Sequence, residues 1–124
     1  MPTNVRVIRA NDFIRATADG KLEFENSKKV LMEVAQVTAS LADYEILLDT
    51  RKAQGALSVI DLWYLAAELS NLGKAFSRKT AVLCPLEGFD RGEFFALCAQ
   101  NRGFRVNAFT SYEDAMEWLL ESRT

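Results

Sequence analysis

The feature that most constrains this chain is the way its apolar residues change period. Glu45-Ile46-Leu47-Leu48 is a short apolar run of the kind a strand shows when both its faces are covered. Before it, Val30, Leu31, Val34, Val37, Thr38 and Leu41 recur at steps of three and four, the period of an amphipathic helix. After it, six residues from Lys52 to Leu57 read as a polar loop, and Ser58 opens a second helical stretch reaching Phe76. A chain that alternates strand and helix in this way builds a mainly parallel sheet covered by helices.

The remaining segments extend the pattern. Val5-Arg6-Val7-Ile8 reads as a strand, Asn11-Asp12 as a turn, and Phe13 to Ala18 as a second strand closed by Asp19-Gly20. Strands this close in sequence pair antiparallel, because a parallel crossover needs a dozen or more residues. Thr80 to Cys84 is a fourth strand, stopped by Pro85. Asp90 and Glu93 have capping-box spacing, and the helix they open is expected to bury Phe94, Leu97 and Cys98 and to end at Arg102-Gly103. Phe104 to Phe109 alternates as a fifth strand, and Ser111 caps a last helix that buries Ala115, Trp118 and Leu119. The expectation is an α/β fold over residues 1–124 as a single domain. It has a mixed five-stranded sheet with four helices in ββαβαβαβα order, an N-terminal antiparallel hairpin and otherwise mainly parallel strands.

Composition narrows function more by what it lacks. The chain has no histidine, which removes histidine-based nucleophile systems and histidine-containing zinc sites. Its two cysteines, Cys84 and Cys98, have no CxxC spacing and read as reduced thiols, so neither metal nor cofactor is expected. A net charge of −2 provides no basic field for nucleic acid. No signal peptide or integral membrane segment is evident, and a cytoplasmic protein is expected.

The second helix carries the most informative surface. On a helical wheel Leu62, Leu65, Ala66, Leu69, Leu72, Gly73 and Phe76 fall in one stripe suited to packing on a sheet. Ile60, Trp63, Tyr64 and Ala67 lie on the other side, which turns polar through Asn71 and Lys74. Burying Ile60 or Trp63 is worth about 1.5–3 kcal/mol each, so an apolar patch here implies a cover. Either a neighbouring element of the domain supplies it, or the patch meets a protein partner, a second copy as a homodimer, or a lipid-like ligand. Phe95 is read as an extension of this patch. Ser58 has the features of an N-cap, with Asp61 three residues on. As a phosphorylation site it would place charge at a helix N-terminus, near Arg51 and Lys52.

The loops beyond the carboxyl ends of the parallel strands supply Asp49, Arg51, Gln54, Ser58, Glu87 and Asp90. Asp49 and Glu87 are the only acid–base pair suggested by these loops. A phospho-receiver site is excluded, because Asn11-Asp12 lies in a hairpin turn and no lysine follows the fifth strand.

Several phrases are similar to a known family. Leu47-Leu48-Asp49-Thr50-Arg51, Ser58 at the next helix start, Lys79 to Cys84, and the closing run from Phe109 to Leu119 resemble the SpoIIAA-like branch of the STAS superfamily (sulfate transporters and anti-sigma-factor antagonists). The resemblance implies a non-catalytic regulatory module of bacterial type that works by protein binding, often switched by phosphorylation at the start of the second helix. The family's Asp-Ser-Ser-Gly-like run is absent; Ala56-Leu57-Ser58-Val59 stands there, and Ser58 matches in position. The resemblance also implies a likeness to lipid-carrier domains of the CRAL-TRIO type. The binding surface expected from these readings is Arg51, Lys52, Ser58, Ile60, Trp63, Tyr64 and Ala67, with lipid binding as the alternative to a protein partner.

Overall fold

Five strands form one sheet in the order β1-β2-β3-β4-β5, so neighbours in space are neighbours in sequence. They are β1 (Asn4–Ala10), β2 (Phe13–Leu22), β3 (Glu45–Gly55), β4 (Thr80–Leu83) and β5 (Val106–Phe109). The helices are α1 (Phe24–Thr38), α2 (Val59–Leu69), α3 (Phe89–Gln100) and α4 (Tyr112–Leu120). The computed structural model describes residues 4–10, 13–38, 45–55, 57–72 and 75–121, with side chains from Phe13 onward except at 19 and 55. The Asn11-Asp12 turn, Leu41, Gly73 and Lys74 lie outside the described residues. β1 and β2 pair antiparallel and every later pair is parallel, as the alternation implies.

The sheet divides two apolar layers. On one face Ala16, Ile46, Leu48, Val82 and Val106 meet residues of α1, α2 and α3. On the other, Phe13, Leu47, Ala81 and Leu83 meet Ala115 and Leu119 of α4. Ser111 caps α4, accepting from the Asp114 backbone N–H. Its far end is held by Lys79, a buried lysine whose Nζ donates to the Trp118 carbonyl at 2.6 Å and lies 5.0 Å from the Trp118 ring centre. That adds a cation to a C-terminal carbonyl that also accepts the Glu121 backbone N–H, at the end of the helix where the dipole favours positive charge. Trp118 itself is only half-buried.

Several expectations are corrected. The stretch after Asp49 is strand, not loop: β3 continues to Gly55 and pairs with β2 as far as Leu22. β4 covers β3 only at Ile46–Asp49, so β3 runs on past Asp49 as an arm paired with β2 alone, while β1 accompanies β2 as far as Asp19. The register passes from Thr17–Asp49 to Asp19–Lys52, which inserts one extra residue into β3, and Gly20 adopts φ +82° inside β2. A bulge interrupts the alternation that would have marked a strand, and Gly20 bends the chain there without ending it.

The second correction is the start of α3. It begins at Phe89 after Gly88 with no side-chain cap, so Asp90 sits within the first turn and closes no capping box. The third is its face. Phe95, Ala96 and Ala99 are buried, Leu97 is exposed, and Phe94 and Cys98 are half-buried. α3 packs on both α2 and β5, and small residues let it approach both; Phe95 belongs to the core rather than to an outer patch. β5 begins at Val106, two residues later than the alternation suggests.

Candidate functional site

Between the sheet and α1, α2 and α3 lies a cavity of about 490 Å³. Its origin is visible in the residues. The floor is laid by Ala16 and Ala18 of β2 and Ala53 of β3, alanines where larger side chains would fill the space. Leu62 and Leu65 of α2 form the roof, Val30 and Leu31 of α1 one wall, and Phe95 and Gly92 of α3 the other. A dry void of this volume would cost on the order of 10 kcal/mol at ~24 cal/mol per Å³. That is comparable with the whole stability of a domain this size, and the space is instead open to solvent on one side, a pocket that water or a ligand can enter. Water is a poor filler, because it needs two to four polar partners and the walls are mainly apolar.

Polar groups gather at the margins. Gln54, Glu87 and Arg91 reach the cavity and are exposed. Arg91 Nε donates to the Leu57 carbonyl at 2.9 Å, which ties α3 to the segment just before α2. Thr50 is satisfied within the fold, its hydroxyl donating to the Leu83 carbonyl at 2.9 Å. Ser27 Oγ is buried on the α1 wall without a partner among the described residues. Cys84 also lines the space; burial pushes its thiol up to about 11, against a smaller downward pull from the Thr50 side chain.

The roof helix has two apolar faces. Leu62, Leu65, Ala66 and Leu69 point inward and are buried, as the stripe implies; Phe76 is buried too, beyond the helix end at Leu69. Outside, Ile60 is 67% exposed, Tyr64 54% and Trp63 48%, with Val59 beside them and Ala67 half-buried. Trp63 and Tyr64 stack edge to face at 5.2 Å, and Arg102 at the end of α3 lies 5.1 Å over the Trp63 ring. Among the described residues no element covers this patch. Ser58 caps the helix in a full capping box: its Oγ accepts from the Asp61 N–H, and Asp61 Oδ2 accepts from the Ser58 N–H.

The other expected site residues do not gather here. Asp49 is buried on the α4 side of the sheet, where it accepts from Arg15 Nη2 at 2.7 Å and from Arg51 N, Nε and Nη2 at 3.1, 3.0 and 2.9 Å. Burial pushes the Asp49 carboxyl up, but the hydrogen bonds from Arg51 and Arg15 together outweigh it and hold the carboxyl below its ordinary value. Both guanidiniums lie within 6 Å of the Tyr112 ring centre, at 5.7 and 5.9 Å. Arg51 is therefore engaged on the face opposite α2 and away from Ser58, and Asp49 does not meet Glu87 at the cavity. Lys52 is exposed on the β3 arm. Among the described residues no cluster of three acidic or thiol side chains is placed to hold a metal ion, and no helix is long and apolar enough to cross a membrane.

The cavity was the element that sequence reasoning missed. Its one legible trace is Ala16 and Ala18 at strand period two, a small-residue floor beneath a large-residue helix.

No family model matches the sequence, and no curated protein matches it. Solved structures do share the fold. An uncharacterized DUF3478-family protein with a SpoIIAA-like fold from Shewanella loihica PV-4 is 23% identical, with a TM-score of 0.54 over 95% of this chain and 94% of that one. An anti-sigma factor antagonist from Mycobacterium paratuberculosis is 14% identical, with a TM-score of 0.61 over 94% of this chain and 93% of that one. The chain has a SpoIIAA-like fold, as the resemblance implied.

Proposed function

We propose that this protein is a non-catalytic binding module that carries or senses a small apolar ligand in the cavity beneath α2. The observation that carries this reading is the cavity itself: about 490 Å³, walled by leucine, valine, alanine and phenylalanine, with its charged groups only at the mouth. Its size lies in the range of ligand pockets, and an apolar guest replaces water that has few partners there. Native mass spectrometry of detergent-free protein tests it. The expected result is a bound small molecule that organic solvent extracts, or uptake of one equivalent of 1-decanol by the bare chain. A bare chain that takes up no 1-decanol contradicts the reading.

A second reading is favoured by a separate observation, the exposed Val59, Ile60, Trp63 and Tyr64 on the outer side of α2. Anti-sigma-factor antagonists, one of which shares this fold, suggest a regulatory protein partner for such a surface. The two readings are compatible, because α2 is the roof of the cavity on one side and the docking face on the other. A ligand that shifts α2 changes the surface offered to a partner. Ser58, Ile60, Trp63, Tyr64 and Ala67 belong to that face, whereas Arg51 and Lys52 lie on the β3 arm.

A further inference from the structure

We infer that the ligand of this cavity is a single-chain amphiphile with an anionic head group, its tail under α2 and its head against Arg91. The inference rests on the ligand-carrying reading above and adds the chemistry of the guest. Arg91 is the one basic residue in the cavity lining among the described residues. Its Nε is committed to the Leu57 carbonyl at 2.9 Å, which holds the guanidinium at the seam between α3 and the start of α2. It makes no ion pair among the described residues. The terminal nitrogens therefore keep a planar fork of donors that suits a carboxylate or phosphate oxygen pair.

The interior offers no charged anchor: Thr50 is spent on Leu83, the floor and roof are apolar, and the buried Ser27 Oγ on the α1 wall is a single neutral hydroxyl. A charged head left in that interior would be heavily penalised, so the head sits at the mouth and the chain points inward. At about 30 Å³ per water-sized group, the volume holds roughly 16 such groups, enough for a medium-length acyl chain. Glu87 reaches the same mouth, four residues before Arg91. Its carboxylate opposes an anionic head, and this sets the sign of a second test.

Calorimetric titration of the protein with decanoate and with 1-decanol separates head from tail. The wild type should bind decanoate about tenfold more tightly than 1-decanol, the scale of one charge-assisted contact. Arg91→Gln should remove that preference, and 1-decanol binding that persists in the variant reports that the cavity is intact. Glu87→Gln should tighten decanoate a few-fold, an effect that shrinks in high salt. Equal affinity for the two probes, or a decanoate preference that survives Arg91→Gln, overturns the head-group assignment while leaving an apolar ligand in place. Loss of both probes in Arg91→Gln together with no effect of Glu87→Gln overturns it as well. Failure of the wild type to bind either probe removes the ligand reading along with it.

Discussion

At the scale of single residues, Asp49 shows how a buried charge is kept without a catalytic role. One carboxylate receives two guanidiniums and a backbone N–H at the point where β3 leaves the cover of β4. Asp49→Asn should cost about 1–3 kcal/mol, less than a fully buried pair, because both arginines can turn toward water. The pH dependence has a defined sign. The folded carboxyl titrates below its unfolded value, so its contribution is fully present above about pH 5 and fades as pH falls through the folded pKa. Urea midpoints of wild type and Asp49→Asn should therefore converge on acidification; a gap that stays constant down to about pH 2 would show that the carboxylate charge is not what stabilises this point. The two cysteines give a second residue-scale outcome. Cys84 is buried with its thiol pushed up to about 11, whereas Cys98 is half-buried, so an aromatic disulfide reagent at pH 8 should modify Cys98 first and reach Cys84 only on unfolding. The burial of Cys84 was legible from the apolar run that it ends. The Asp49 cluster was not, because its two arginines are separated by 36 positions and meet only across β2 and β3.

At the scale of elements, α3 is the piece whose position decides the cavity. Gly92 lets it close on the sheet: a Cβ there would run into Cys84 Sγ. Alanine normally favours a helix over glycine by about 1 kcal/mol, yet Gly92→Ala should destabilise by about 1–3 kcal/mol through overpacking. Adding Cys84→Ala should recover most of that loss, and chemical denaturation of the two single variants and the double variant checks the coupling. At the neighbouring element, Ser58→Ala should cost about 0.5–2 kcal/mol by removing the capping box of α2, measured the same way. Element order and the α2 stripe were readable because periods of two and 3.6 are local properties. The β3 arm was not, since the bulge breaks its alternation and its polar residues face water. The phase of α3 was misread for a related reason: a helix lodged between a sheet and another helix buries small residues, and Ala96 and Ala99 carry little hydrophobic signal.

At the scale of the whole molecule, α2 is a partition between a space and a surface. Trp63→Ser should change stability by less than about 1 kcal/mol, because the ring is half exposed and its best neighbour, Arg102, is itself on the surface. Whether helices enclose a cavity depends on tertiary spacing, which a one-dimensional pattern of apolar residues does not encode. The most direct test fills the space from its floor. Ala18→Leu places a branched side chain into the cavity from β2, a strand that supplies neither the charged residues of the lining nor the outer face of α2. Titration of 1-decanol into wild type and Ala18→Leu, with thermal unfolding of both, separates a ligand site from an incidental gap. The account predicts saturable one-to-one binding to the wild type, binding weakened at least tenfold in Ala18→Leu, and a melting temperature that is kept or raised. Undiminished binding to a folded Ala18→Leu protein, or no binding to the wild type, would contradict it.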